Sequence, residues 1–394
     1  MKPVDRHLAD ILAVVRPLAP MEVELEAALG AVLAEDVVSP VPLPPFDNSA
    51  MDGYAVRAAD VAGVPVTLPV IEDVPAGDGG LHAIGPGLVT RIMTGAPLPA
   101  GADAVVPVEW TDGGTIRVRI DRPAEPGNAI RRAGEDVAAG DTVLPEGTLI
   151  GPAQLGILAG VGRRRVTVRP RPRVVVLSTG AELAEPGTPL GHGQIWESNS
   201  FMLAAAVREA GAEGFRAGAV TDDPKEFMDR LDAQLIRADA VITSGGVSMG
   251  AYEPVKEALA PLGTVTFEKV AMQPGMPQGF GVVGPDRVPI FTLPGNPVSS
   301  FVSFVLFVKP ALRRMQGLPA EPPSSVRAVS TAPVRSPAGR RSYLRAVLSG
   351  AEVSPVRRQG SHQLAALAGA NALMVVPEDV TELPEGAEVE VIPL

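Results

Sequence analysis

The stretch AVITSGGVSMGAY, residues 240–252, decides how the chain around it is read. An apolar, β-branched run (Val241, Ile242, Thr243) breaks into Ser244-Gly245-Gly246, and small residues lead on towards a helix. Buried parallel strands end this way where a loop exposes backbone N–H groups. Glycine lets the backbone approach a ligand closely, and a helix N-terminus that follows favours an anion such as phosphate. The same residues also suit an ordinary strand-to-helix turn that binds nothing.

Outward from this stretch the pattern alternates. Residues 173–177 read as a buried strand ending in Ser178-Thr179-Gly180. An amphipathic helix at 201–210 follows, with Ser198 or Asn199 as N-cap and Gly211 as stop. After a strand at 214–220, Asp222-Asp223-Pro224 caps a helix at 225–237. A helix near 254–260 and strands at 265–270 and 289–293 complete the series, and Pro294-Gly295-Asn296-Pro297 leads into a long helix at 298–315. Alternating strands and helices predict a doubly wound parallel sheet covered on both faces. Ligands of such sheets lie beyond the strand C-terminal ends, where the STG, ESN, TDD, SGG and PGNP loops gather.

The flanks differ. Residues 4–15 read as an amphipathic helix. Pro42, Pro44 and Pro45 stiffen the approach to Asp47-Asn48-Ser49 and Asp52, residues that suit either a Mg²⁺ or polar-ligand loop or simple turn chemistry. Short strands and Gly/Pro turns from 64 to 132 form an all-β module containing Thr94 and, at its edge, Arg131, Arg132 and Asp136. After residue 319 the pattern returns to β, a small barrel or sandwich with Arg340, Arg341, Arg345, Arg357 and Arg358 and a Gln359-Gly360-Ser361-His362 turn.

At 394 residues the chain exceeds one compact core. A net charge of −11 argues against a nucleic-acid binder, and the absence of Cys excludes disulfides, thiolate metal sites and a Cys nucleophile. No apolar run approaches the length of a membrane span, and the N-terminus does not resemble a secretory signal, so a cytoplasmic location is expected. Neither a phosphate-binding P-loop nor a dinucleotide fingerprint is present. Gly246-Val247-Ser248-Met249-Gly250 spells the nucleophile-elbow pattern, but Ser244 and Gly245 separate it from the strand, and the only His after Ser248 is His362 in the distant β region. Carboxylates recur at loop positions (Asp52, Asp136, Glu197, Asp222, Glu253), which suits Mg²⁺-assisted chemistry on a phosphoanhydride.

Together SAMDGYAV (49–56), MTGAPLP (93–99), AGEDV (133–137), STGAEL (178–183), ESNS (197–200), ITSGGVSMG (242–250) and LPGNPVS (293–299) resemble the MoeA and gephyrin E-domain family of molybdenum-insertion enzymes, in order and over nearly the whole chain. The resemblance implies a discontinuous N-terminal domain of helical and β structure (1–45 and 137–170), an inserted β module (46–136), an α/β molybdopterin-binding domain (171–318) and a C-terminal β-barrel (319–394). It implies a homodimer that inserts molybdate into adenylylated molybdopterin with Mg²⁺ and releases AMP. A molybdopterin adenylyltransferase is the implied partner. Asp52, Thr94, Asp136, Glu197, Asp222 and Glu253 would be catalytic, with Glu197, Asp222 and Glu253 near the metal. Ser178, Thr179, Gly180, Ser244, Gly245, Gly246, Ser248, Pro294, Gly295, Asn296, Pro297 and Ser361 would bind the pterin nucleotide. The sequence departs from the family pattern at Gln273 and Met276, where many members carry Lys, and at Glu253, where Asp is usual. A catalytically weak paralogue that binds molybdopterin or acts as a scaffold is the alternative.

Overall fold

A computed structural model describes residues 1–247 and 253–394. The chain forms two compact units. One comprises Glu22–Leu29 and Leu33–Val166; the other comprises Met1–Met21, Gly30–Val32 and Thr167–Leu394.

The first unit is built on strands β1 (Gly53–Val56), β2 (Val66–Val74), β3 (Val89–Ile92), β4 (Ala104–Pro107) and β5 (Arg117–Ile120), in the order β4-β1-β3-β2-β5. Side chains alternate across the pleat. Tyr54, Val56, Val106 and Val118 bury one face, while Ala55, Ile92 and Val105 bury the other. Asn48–Ser49 pairs with Ile130–Arg131, so the segment before β1 lies beside the one that follows β5.

In the second unit, helix α1 (Val4–Val14) precedes a six-stranded sheet. Its elements are β6 (Arg173–Thr179), α2 (Asn199–Glu209), β7 (Glu213–Val220), α3 (Pro224–Leu235), β8 (Ala240–Ser244), α4 (Pro254–Leu259), β9 (Val265–Lys269), β10 (Pro277–Val283) and β11 (Val288–Leu293). The order is β7-β6-β8-β11-β10-β9. The first four strands are parallel, as expected, and apolar layers cover both faces: Val174, Val176 and Ile242 on one, Val175, Leu177 and Val241 on the other. The far edge is antiparallel, because β9, β10 and β11 follow one another as consecutive hairpins that need no crossover helix. The expected long helix is continuous but changes pitch: α5 (Pro297–Ser303), a π-helical turn at Phe304–Val308, then α6 (Lys309–Met315). Pro310 lacks an N–H and its ring crowds the carbonyl four residues back, which the wider turn relieves.

Strands β12 (Val326–Ser330), β13 (Arg341–Ser349), β14 (Glu352–Pro355), β15 (Ala372–Val376) and β16 (Glu388–Pro393) close into a barrel, because β13 pairs with both β14 and β15. The short strand Met272–Gln273 also pairs with β13 and so fastens the α/β sheet to the barrel. Among the described residues no helix is long and apolar enough to cross a membrane.

Candidate functional site

The parallel register aligns Ser178 with Ser244 and Ser244 with Leu293, so the loops after β6, β8 and β11 emerge side by side. Gly245 has φ +97°, and a Cβ there would stand 2.7 Å from the Thr179 carbonyl oxygen and 2.9 Å from its hydroxyl. On the other side a Cβ on Gly295 would lie 3.4 Å from the Gly245 Cα. Backbone therefore meets backbone at the crossing of the STG, SGG and PGNP loops, and at Gly245 only glycine fits.

Side chains from the start of α2 brace this crossing. Glu197 is 2% exposed. Its Oε1 accepts hydrogen bonds from the Ser178 hydroxyl (2.8 Å) and the Ser200 N–H (2.7 Å), and its Oε2 from the Ser200 hydroxyl (2.6 Å). Arg216 on β7 approaches Oε2 at 3.5 Å, donates to the Ser200 hydroxyl at 2.7 Å, pairs with Glu185 at 2.9 Å and stacks on the Phe201 ring. Asn199 donates to Ser244 Oγ (2.8 Å) and to the Gly295 carbonyl (2.7 Å). The Ser300 hydroxyl hydrogen-bonds the Pro294 carbonyl from within α5.

The remaining expected carboxylates lie around this core. Asp222 is exposed and accepts the Ala181 N–H at 3.1 Å, which holds it against the STG loop. Glu253 stands buried at the N-cap of α4. Among the described residues no three His, Asp or Glu side chains form a ready-made cation cage, so Glu197, Asp222 and Glu253 do not make one by themselves. Ser248 falls in 248–252, outside the described residues.

The barrel reaches the same end of the sheet. The Ser361 carbonyl accepts the Val298 N–H at 3.1 Å, which seats the 359–363 turn on the start of α5. Arg345, 1% exposed, donates to Gln359 Oε1 (3.3 Å) and to the Gly360 (3.0 Å) and Gln363 (3.2 Å) carbonyls, and burial lowers its pKa. A groove of about 500 Å³ runs between Gln273-Pro274, Val298, Arg335, Arg345 and Arg357. At its edge Arg340 donates to Gln273 Oε1 at 3.4 Å.

In the other unit, Asp52 Oδ1 accepts the Thr94 N–H (2.7 Å) and hydroxyl (2.8 Å), which hold its carboxyl below the ordinary range. The Gly95 N–H donates to the Ser49 carbonyl at 2.8 Å, so the SAMDG and MTGAP loops form one surface. Asp136 is exposed, held through its N–H to the Leu43 carbonyl at 3.0 Å.

Three family models match the chain in succession: the MoeA N-terminal region (domain I and II) over residues 2–162, a probable molybdopterin binding domain over 175–314, and the MoeA C-terminal region (domain IV) over 327–394. The chain is 51% identical over 403 residues to a Mycobacterium tuberculosis protein named molybdopterin molybdenumtransferase 2, covering 99% of both. The chain belongs to the MoeA family. A second M. tuberculosis member, molybdopterin molybdenumtransferase 1, is 43% identical over 99% of this chain and 98% of its own. A crystal structure of the MoeA protein of Pyrococcus horikoshii superposes with a TM-score of 0.79 at 31% identity, covering 100% of each chain.

Against this MoeA framework, the expected loops after β6, β8 and β11 do converge, and Ser361 joins them through its backbone. Sequence reasoning missed Arg216, Ser200 and Ser300. Arg216 left one signal, a lone cation inside the strand-like GFRAGAV (214–220).

Proposed function

We propose that this MoeA-family protein is a molybdopterin molybdenumtransferase that inserts molybdate into adenylylated molybdopterin and releases AMP in a Mg²⁺-dependent step. The observation that supports it best is the convergence of the STG, SGG and PGNP loops beyond the C-terminal ends of β6, β8 and β11, where parallel sheets bind their ligands. Two buried polar atoms at that crossing, the Thr179 hydroxyl and Asn199 Oδ1, have no hydrogen-bond partner among the described residues, as suits a junction that takes a polar ligand.

Within this reading Ser244 to Gly246 and Pro294 to Pro297 hold the pterin nucleotide, and Ser178 to Gly180 line the adjacent wall. Mg²⁺ sites in general use one or two carboxylates, with substrate phosphates and water completing the shell, so Asp222 or Glu253 would hold the ion without a three-carboxylate cage. When bound, it would neutralise charge at the phosphoanhydride that breaks as AMP leaves. Asp222 would orient the attacking oxygen, and Glu197, whose oxygens are engaged inside the fold, would shape the site from behind. Arg340 beside Gln273 supplies the cation that lysine would carry at that corner. Asp52, Thr94 and Asp136 belong to the β module, which in a homodimer would complete the site of a second copy. The four-domain division, cytoplasmic location and supply of substrate by an adenylyltransferase belong to the same reading.

The test is molybdate-dependent AMP release by the purified protein with Mg²⁺ and adenylylated molybdopterin, beside Asp222→Ala. Release that falls about 100-fold or more in the variant is expected, the scale of losing a group that acts in the transition state. Tight binding without release by the wild type supports the scaffold alternative instead, and absence of binding overturns both.

A further inference from the structure

We infer that Asn199 is a positioning residue that fixes the SGG and PGNP loops relative to each other for binding of the substrate's phosphate groups. The inference rests on the transferase reading above. The Asn199 Nδ2 group uses both hydrogens, one on Ser244 Oγ at 2.8 Å and one on the Gly295 carbonyl at 2.7 Å. A carbonyl can only accept, so the amide nitrogen must face Gly295 and the orientation of the amide is settled by its partners. Ser244 Oγ also lies 3.3 Å from the Pro294 carbonyl and 3.2 Å from Ser300 Oγ. One side chain at the start of α2 therefore ties the end of β8 to the turn after β11. It does so where Gly245 packs against Thr179 on one side and Gly295 on the other.

The side-chain donors of Asn199 are consumed within the protein, so its amide group has no N–H left to offer a phosphate. Its influence passes through the loops it joins. A small shift of either loop alters how backbone N–H groups converge on a phosphate, and misplacement by about 1 Å already weakens such a site substantially. Asn199 Oδ1 and the Thr179 hydroxyl against the same glycine, both without a hydrogen-bond partner among the described residues, mark the crossing as more than a packing joint.

Asn199→Ala and Asn199→Asp test this, with AMP release measured under separate saturation in adenylylated molybdopterin and in molybdate. The expected result is a KM for the adenylylated substrate raised about tenfold in Asn199→Ala, and more in Asn199→Asp, whose carboxylate would face the Gly295 carbonyl. The KM for molybdate stays within about twofold. Ser244→Ala, which removes one of the two acceptors, should raise the first KM by a smaller factor in the wild type and add little in an Asn199→Ala background. Loss of kcat with both KM values unchanged would mean only a smaller folded fraction and would overturn the inference, as would wild-type constants throughout. Calorimetric binding of adenylylated molybdopterin keeps the two claims separate. If the wild type binds without releasing AMP, the transferase reading fails while the Kd of the variants still reports on Asn199. If the wild type does not bind, both fail.

Discussion

Glu197, a carboxylate at the start of α2, is buried with its oxygens turned into the protein. Its carboxylate is enclosed by Ser178 of β6, Ser200 of α2 and Arg216 of β7, and so joins the three elements by polar contacts. An ion enclosed in this way is stabilising only while its donors are all present. Glu197→Gln keeps the shape but turns one acceptor into a donor facing a hydroxyl or the guanidinium. We expect a loss of about 2 kcal/mol in denaturant unfolding, with the Mg²⁺ concentration for half-maximal AMP release unchanged. Unchanged stability with a raised Mg²⁺ requirement would instead make Glu197 a direct ligand. The sequence shows a carboxylate one residue before a helix cap but not its burial. That depends on Arg216 arriving from β7, which the register of β6 with β7 determines.

At the scale of elements, the loop after β8 tolerates no side chain at Gly245. A Cβ would meet the Thr179 carbonyl, which is backbone and cannot swing aside, at a φ that L-residues rarely adopt. Gly245→Ala is expected to destabilise the protein by about 1–3 kcal/mol and to reduce AMP release by more than the folded fraction explains, measured by unfolding and by activity per folded molecule. Wild-type activity per folded molecule would show that the loop backbone does not contact substrate. Strands β6, β8 and β11 were legible as apolar runs cut off by STG, SGG and PGN. Strand β10 was not, because PQGFGVV (277–283) looks like a turn. In the sheet Gly279 is there because a Cβ would come within 1.9 Å of the Thr292 hydroxyl, a cross-strand constraint with no local trace. The barrel strands were likewise legible as β, whereas closure rests on β13 pairing with β15, some thirty residues apart along the chain.

Across the second unit, the first helix and the last domain are joined by charge. Arg341 on β13 makes a bidentate pair with Asp5 on α1 (2.8 and 3.0 Å) and reaches Glu378 at 3.0 Å. The guanidinium hydrogen bond holds the Asp5 carboxyl below its ordinary 3.8 against a smaller effect of burial, and the pairing raises Arg341. A carboxyl whose pKa is depressed by folding adds stability that is fully present above its unfolded value and is lost as pH falls through its folded one. Solvent limits the size of the effect, since the Asp5 side chain is 69% exposed, so about 0.5–1 kcal/mol is the appropriate scale. Arg341→Ala should therefore be less stable than wild type by about that amount at neutral pH, and the difference should shrink as the medium is acidified below the ordinary carboxylate range. Urea unfolding of both proteins at about pH 7 and about pH 3 measures this. A difference that persists undiminished in acid would assign the loss to packing of the arginine stem instead of its charge, and would leave α1 and the barrel joined by apolar contacts such as Tyr343 and Val375.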